Sequence, residues 1–304
     1  MLGRQEIREA LTGPFASICT PFCRDGSIDF AALRNLIDFL VDAGSKTMLL
    51  TPGDSLYTIL TDEEIAEVTR VVVEHTAGRA MVVAAGNEWA TPKAVEFAQY
   101  ASTAGADVLM VAPPDWGASC TPETLVEYYA AAAEHMPVMV VTASLSRRPT
   151  DFALEVLRML MEGVDGVVAL KDDICGEFAR RAGLLLHEHW ATFSGGTKQN
   201  HMNMLPYGCD GYMSVFISFK PEIAHNYWNA IQSSDLSTAR DIIRDYDMPY
   251  FDCIGLCQGG CDAGMHATLE LFGITQRWRR KPYASATDED MEMLADFCKG
   301  KSLL

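Results

Sequence analysis

Lys171 ends the run Gly166-Val167-Val168-Ala169-Leu170 and is followed by Asp172 and Asp173. An apolar, β-branched run of this length reads as a strand covered on both faces. The lysine therefore stands where a dry strand opens to solvent. A free lysine titrates near 10.4, which leaves about one amine in 2,500 neutral at pH 7. Apolar surroundings disfavour the ammonium and free a nucleophilic amine. Such an amine attacks a ketone and gives an iminium, an electron sink for C–C cleavage or for elimination. By position alone Lys171 fits two roles equally: this nucleophile, or the cationic half of a structural ion pair with Asp172 or Asp173.

Other polar groups follow similar runs: Thr20, the turn Pro52-Gly53-Asp54-Ser55, Asn87-Glu88, Pro114-Asp115-Trp116, Thr142, Ser194-Gly195-Gly196 and Ser214. General acid–base work needs a group that titrates near the working pH and reaches the substrate. Asp54, Asp115 and Glu88 have the chemistry. Each also has a plainer reading: turn residue or helix cap for Asp54, turn former for Asp115, solvated carboxylate for Glu88. Ser55 and Thr51 carry hydroxyls that suit a carboxylate. Gly195 and Gly196 let a ligand approach the backbone closely. Lys198 and His201, just beyond them, read as the outer face of a helix. Trp116 fits a pocket wall or a subunit interface equally.

These positions become neighbours only if the runs form one sheet. Eight runs recur: Phe15–Thr20, Thr47–Thr51, Ala80–Ala85, Asp107–Ala112, Pro137–Thr142, Gly166–Lys171, Ala191–Ser194 and Gly211–Val215. Most starts lie about thirty residues apart, the length of a βα unit. Helix starts fall between them. Thr61-Asp62-Glu63-Glu64 is a capping box, and Thr91-Pro92 and Thr121-Pro122 place a cap before a proline at the first helical position. Eight strands alternating with helices predict an α/β fold, a closed (β/α)8 TIM barrel, with these polar groups at the C-terminal strand ends where such barrels do chemistry. A doubly wound open sheet is the alternative, weakened by the lack of G-x-G-x-x-G after any strand. Beyond Leu236 the pattern is helical only. The expected division is a catalytic barrel over 1–234 and a C-terminal helical appendix over 235–304.

The 304 residues suit that architecture, and a hydrophobic fraction of 49% with 21% charged residues is ordinary for a globular chain. A formal net charge of −17 makes nucleic acid a poor partner. No run of about 18 apolar residues is present, and the start MLGRQEIREALTG lacks a signal-peptide core, so no membrane association is expected and a cytoplasmic location is. Nine scattered cysteines read as free thiols in a reducing compartment. Cys253, Cys257 and Cys261 are spaced C-x3-C-x3-C, one face of a helix, but Gly259 and Gly260 interrupt it and the spacing matches no common metal motif.

Together these stretches resemble the dihydrodipicolinate synthase / N-acetylneuraminate lyase family of Schiff-base (class I) aldolases. GPFASICTPFCRDGSID resembles the family's opening strand with T-P-F and D-G-x-I-D, and Thr61–Glu64 its T-x-E-E. GRAMVVAAG with Thr91, and AGADVLMVAPP, resemble its third and fourth βα units. VVALKDD resembles the strand that carries the imine-forming lysine. SGGTKQN and YGCDGYMSVFISFKPE resemble the last barrel units, and HATLELFGI and RRKPYASATDEDMEML the closing helices. The resemblance covers nearly the whole chain and implies an imine on Lys171.

It is divergent. Counting back from Thr61, the family's G-T-T-G-E falls on Pro52-Gly53-Asp54-Ser55-Leu56, so the threonine pair that holds the substrate carboxylate is gone. The catalytic tyrosine after strand five falls on Val141. The tyrosine pair after strand four is replaced by Pro114-Asp115, and the family's arginine has only Arg147 or Arg148 nearby. The resemblance thus implies a lyase of aldolase or hydro-lyase type acting on a pyruvate-like 2-oxo acid, and not dihydrodipicolinate synthesis itself. Lys171 and Asp54 are the expected catalytic residues. Gly53, Ser55, Thr142, Gly195, Gly196 and Ser214 are the expected substrate contacts. The resemblance implies no metal or organic cofactor, and a homotetramer built as a dimer of dimers. The alternative is a catalytically degenerate 2-oxo-acid binder or sensor.

Overall fold

A computed structural model describes residues 2–87 and 89–304; Glu88 lies outside them. Eight strands form in chain order: β1 (Gly13–Ser17), β2 (Thr47–Leu49), β3 (Met81–Ala85), β4 (Val108–Val111), β5 (Val138–Val141), β6 (Val167–Asp172), β7 (Ala191–Ser194) and β8 (Gly211–Met213). Each pairs in parallel with the next, and β8 pairs with β1 to close the barrel. The expected TIM barrel is present, with helices between the strands. The strands are shorter than the apolar runs, because the last residues of several runs already turn outward at the mouth. Thr51, Thr142 and Ser214 sit in those turns.

Every strand residue from β3 to β7 is buried. Helices cover the outside and large side chains fill the inside; Phe15 and Phe193 meet edge to face, 4.9 Å between ring centroids. The helix Phe30–Asp42 shows how the cover is written in sequence. Asp29 accepts the Ala31 and Ala32 N–H groups as its cap, and Leu33, Leu36, Ile37 and Leu40 form the i, i+3, i+4, i+7 stripe that packs inward. The expected capping box at Thr61 forms with Glu64.

Beyond Leu236 the chain is mostly helical; the expectation of helices alone is corrected by residues 272–287, which are turns and irregular backbone. The helical segments are Leu236–Ile242, a π turn at Ile243–Asp247, then Met248–Gly255, Gly260–Leu271 and Asp288–Gly300. Their apolar faces, including Tyr250, Ile254, Leu269 and Leu294, join the same buried core as the barrel. Arg280 fixes the return segment to the barrel's outer layer through two bonds to Glu64, 2.6 and 2.8 Å. Among the described residues no helix is long and apolar enough to cross a membrane.

Closure leaves no room at the β8–β1 seam. A β carbon on Gly211 would overlap the Leu11 carbonyl and stand 2.6 Å from the Gly13 carbonyl oxygen. Both are backbone atoms that cannot turn aside. Gly211→Ala is therefore expected to destabilise the protein by about 3 kcal/mol, read as a lower urea midpoint with an unchanged slope. A wild-type midpoint would show that the seam is loose.

Candidate active site

Lys171 lies near the C-terminal end of β6, in register with Val141 on one side and Phe193 on the other. Residues in register point to the same face of a sheet, so the amine rises between two apolar side chains. It is 7% exposed. Its Nζ donates to both oxygens of Asp173, at 2.6 and 2.7 Å. Of the two acids the sequence offered as partners, Asp173 is the one used. Asp172 points the other way, as strand alternation requires.

Asp172 organises the turn instead. Fully buried, it accepts N–H bonds from Ile174 (3.3 Å) and Cys175 (3.0 Å) and a bond from the Thr142 hydroxyl (3.2 Å). Burial pushes its carboxyl above the usual range against these bonds. The Thr142 hydroxyl also accepts the Asp173 N–H at 2.9 Å. Thr142 was expected to touch substrate; its hydroxyl is spent on fixing the two acids beside Lys171.

Gly195, at the end of β7, supplies the floor. A β carbon there would overlap Asp173 Oδ1 and stand 2.8 Å from Lys171 Nζ. The ion pair thus rests against bare backbone, and a side chain at 195 would have to displace the ends of Asp173 and Lys171. Gly196 is tight for another reason: a β carbon would stand 2.6 Å from Asn200 Nδ2. Both glycines, Asp54 and Ser214 line one cavity of about 200 Å³ above the barrel mouth. The Ser214 hydroxyl finds no well-aligned partner among the described residues.

Asp54 reaches this cavity with its N–H tied to Thr51 Oγ1 at 3.0 Å. Gly53 is exposed beside it, with nothing nearer its missing β carbon than Thr51 Oγ1 at 3.9 Å. Ser55 does not reach the cavity as a free hydroxyl: its Oγ donates to the Ile18 carbonyl (2.7 Å) and accepts the Thr51 N–H (3.0 Å). It anchors the turn that carries Asp54. Asp115 joins Arg148 at 3.4 Å and accepts the Cys120 N–H, so it clamps two loops; Arg147 is exposed. Trp116 is 73% exposed and lines no wall of this cavity. Glu88 lies outside the described residues.

Two expectations are corrected. Lys198 and His201 do not face outward; both are fully buried. Lys198 Nζ donates to Asp247 Oδ1 at 2.8 Å and lies 4.3 Å from the Phe216 ring centre. His201 Nδ1 is 2.9 Å from the Tyr227 hydroxyl. Their helix, Lys198–Met204, is pinned between the barrel and the C-terminal helices, so its apparent outer face is an inner one. The three spaced cysteines are free and share no helix: Cys253 is within Met248–Gly255, Cys257 follows it, and Cys261 opens the next helix at the cavity rim. Among the described residues no group of three or more His, Cys, Asp or Glu is placed to hold a metal.

Asp247 and Asp262 also line the cavity, and sequence reasoning missed both. Asp247 faces inward through the π turn, which holds one residue more per turn than an α-helix. Pro249, two residues on, lacks the N–H that would continue regular bonding; an apolar helical run broken by that proline was the available signal. Asp262 is pushed up by burial and then by the charge of Asp54, against the pull of Arg279.

A family model described as the dihydrodipicolinate synthetase family matches residues 10–301. The 4-hydroxy-tetrahydrodipicolinate synthase of Dechloromonas aromatica is 30% identical over 237 residues, 76% of this chain and 79% of that protein. A Streptomyces coelicolor protein named "probable 5-dehydro-4-deoxyglucarate dehydratase 1" is 28% identical over 304 residues, 96% of this chain and 94% of the relative. Among solved structures, dihydrodipicolinate synthase from Oceanobacillus iheyensis superposes with a TM-score of 0.87 at 20% identity, covering 99% of this chain and 100% of that one. N-acetylneuraminate lyase from Mycoplasma synoviae gives 0.81 at 19% identity, covering 96% and 98%.

Two histidines behind this site set an acid limit. His201 is pushed down to about 4 by burial, and His266 to about 3 by burial and then by Arg279. Unfolded histidine titrates near 6.5. Above that pH both states are neutral and stability is flat. Below it the unfolded chain takes protons that the fold refuses, so stability falls as pH falls, by about 1.4 kcal/mol per pH unit for each histidine down to its folded value. Urea unfolding from pH 7 to 4.5 is expected to show this decline, with roughly half the histidine slope lost in His266→Gln. An unchanged slope in that variant would mean His266 is not held neutral.

Proposed function

The chain belongs to the dihydrodipicolinate synthetase family, and from that premise we propose that it is a lyase which holds a pyruvate-like 2-oxo acid as a Schiff base on Lys171. The observation that carries the proposal is the place of Lys171, buried at the barrel mouth between Val141 and Phe193 and beside cavity-lining Gly195; the ion pair with Asp173, which the alternative role also predicts, supplies the acceptor for its proton. Asp173 takes the proton from the ammonium at 2.6 Å. The freed amine adds to the C2 carbonyl, Asp173 returns its proton to the hydroxyl of the carbinolamine, and that hydroxyl leaves as water to give the iminium. That cation draws electrons from the bonds to C3, so a proton or a carbon group leaves C3 with its bonding pair passed toward nitrogen. Asp54, in the cavity, is the group proposed to move the C3 proton. Gly53, Gly195, Gly196 and Ser214 contact the substrate, while Ser55 and Thr142 hold the turns that carry Asp54 and Asp173.

Dihydrodipicolinate synthesis is not part of this reading. The position in register with Lys171 on β5 is Val141, which has no proton to relay where the family resemblance expects a tyrosine. Aldol cleavage or dehydration requires only the iminium and one acid–base group. The same family reading carries a cytoplasmic homotetramer, for which exposed Trp116 on the β4 loop is a candidate contact.

Incubation with pyruvate followed by borohydride is expected to leave a reduced adduct on Lys171, located by peptide mass and absent from Lys171→Ala. No adduct with pyruvate or larger 2-oxo acids would sink the imine. Gly195→Ala, folded by circular dichroism, is expected to form the adduct at least about a hundredfold more slowly, since displacements of about 1 Å at a reacting centre have effects of that order. A wild-type rate would mean the seat of the ion pair does not matter.

A further inference from the structure

The three cysteines spaced C-x3-C-x3-C have no part in the chemistry at Lys171, and the turn between the last two gives that pair a chemistry of its own. We propose that Cys261 and Cys257 form a thiol–disulfide exchange pair: Cys261 takes up the sulfur of a small-molecule disulfide such as oxidised glutathione, and Cys257 displaces it by closing a Cys257–Cys261 disulfide. The mixed disulfide that forms first stands at the rim of the mouth cavity and closes it.

Of the nine cysteines, all free, Cys261 is the exposed one, while Cys257 is 4% exposed. The chain reverses between them. The Gly260 N–H donates to the Cys257 carbonyl at 2.8 Å. Gly259 and Gly260 both take left-handed backbone, φ +87° and +72°, which glycine adopts without strain. Such a turn brings its first and fourth α carbons within about 7 Å. Cys261 is the next residue, and a disulfide spans α carbons roughly 4.4–6.8 Å apart. The Cys261 sulfur folds back over the turn: it lies 3.7 Å from where a β carbon on Gly255 would stand, at the end of the helix that leads into Cys257. The turn is held at both middle positions, the Gln258 N–H by Asp290 at 3.1 Å and the Gly259 carbonyl by Arg279 at 3.3 Å. Cys253 is the poorer partner. It lies four residues before Cys257 along a helix end, where β carbons so spaced stay about 5–6 Å apart, beyond the roughly 4 Å that a disulfide needs.

The order of events follows from exposure. Cys261 meets the oxidant first. Its sulfur attacks one sulfur of the small disulfide, that S–S bond breaks, and one small thiol leaves with the proton Cys261 gave up. Burial, and then the charge of Asp290, push the Cys257 thiol up to about 11, which makes it a poor attacker of anything in solution. A mixed disulfide on Cys261 is held one turn away, so Cys257 has only to close that turn. The Cys257 sulfur then attacks the Cys261 sulfur and its proton passes to the departing small thiol. In sum two protein thiols are oxidised and one small disulfide is reduced to two thiols. Cys261 and its neighbour Asp262 line the mouth cavity. A glutathionyl group on Cys261 stands across the entrance, and closing the protein disulfide removes it.

The test treats the reduced protein with oxidised glutathione, alkylates the remaining thiols and maps the cysteines by peptide mass. The expected product is a Cys257–Cys261 disulfide with Cys253 alkylated. Cys257→Ser is expected to stop at glutathione on Cys261, at least fivefold above the wild-type amount, and Cys261→Ser to lose both products at least tenfold. A bond from Cys253 or Cys298, or Cys257→Ser without a mixed disulfide, would overturn the pair. The unsubstituted protein gives a check that needs no variant: iodoacetamide on the native fold is expected to alkylate Cys261 first, and another cysteine reacting first would also overturn the proposal. Closure of the mouth rests on the imine reading and is read separately, with pyruvate and cyanoborohydride, which leaves disulfides intact. Glutathionylated Cys257→Ser is expected to label on Lys171 at least fivefold more slowly than its reduced form; equal rates would overturn the closure. No labelling in any form, wild type included, would sink the imine, while the mass map still decides the thiol pair.

Discussion

The structure around the site depends on one contact, the ammonium of Lys171 held by both oxygens of Asp173. A charged pair this close to an apolar barrel persists only if its surroundings fix it. They do so from three directions. Thr142 at the end of β5 takes the Asp173 N–H, Asp172 ties down the turn that follows β6, and Gly195 at the end of β7 gives way where a side chain would collide. Three consecutive strands therefore have to end at matched heights, which only a closed sheet in fixed register guarantees. The barrel is the means by which separate loops hold one ion pair.

How legible this was in the sequence varied with the physical origin of each feature. Strands buried on both faces announce themselves as short apolar runs, and all eight were readable. So were the capped helix starts at Thr61 and Thr121, because such a box is a local bonding arrangement; at Thr91 the helix starts one residue earlier than expected, with Ala90 in the cap position and no side-chain cap bond. The place of Lys171 followed from the run before it. What could not be read was the direction of side chains that depend on distant segments. Lys198 and His201 sit on a short polar helix that looks solvent-facing until Tyr212, Tyr227 and Trp228 cover His201 and Asp247 meets Lys198. Thr142 and Ser55 looked like ligand contacts because a hydroxyl at a strand end has the right chemistry; nothing local shows that the backbone has already claimed it.

The departures from the family pattern that bear on the amine lie at the mouth. Val141 beside Lys171, Asp54 in the turn after β2 and the Asp115–Arg148 clamp change what surrounds the amine while leaving its seat intact. Packing tolerates exchange among apolar residues of similar volume, so the wall drifts without consequence, whereas the mouth changes with the chemistry of the ligand.

The π turn at Ile243–Asp247 has a consequence for how such a site could be remade. Each residue advances an α-helix by about 100°, so removing the one extra residue would rotate everything after it and swing Asp247 away from Lys198. No barrel residue would need to change. The outer wall of the cavity is thus under the control of helix length as much as of residue identity. A lineage could exchange one set of wall residues for another by a single insertion or deletion, in a segment where sequence comparison would see only a gap.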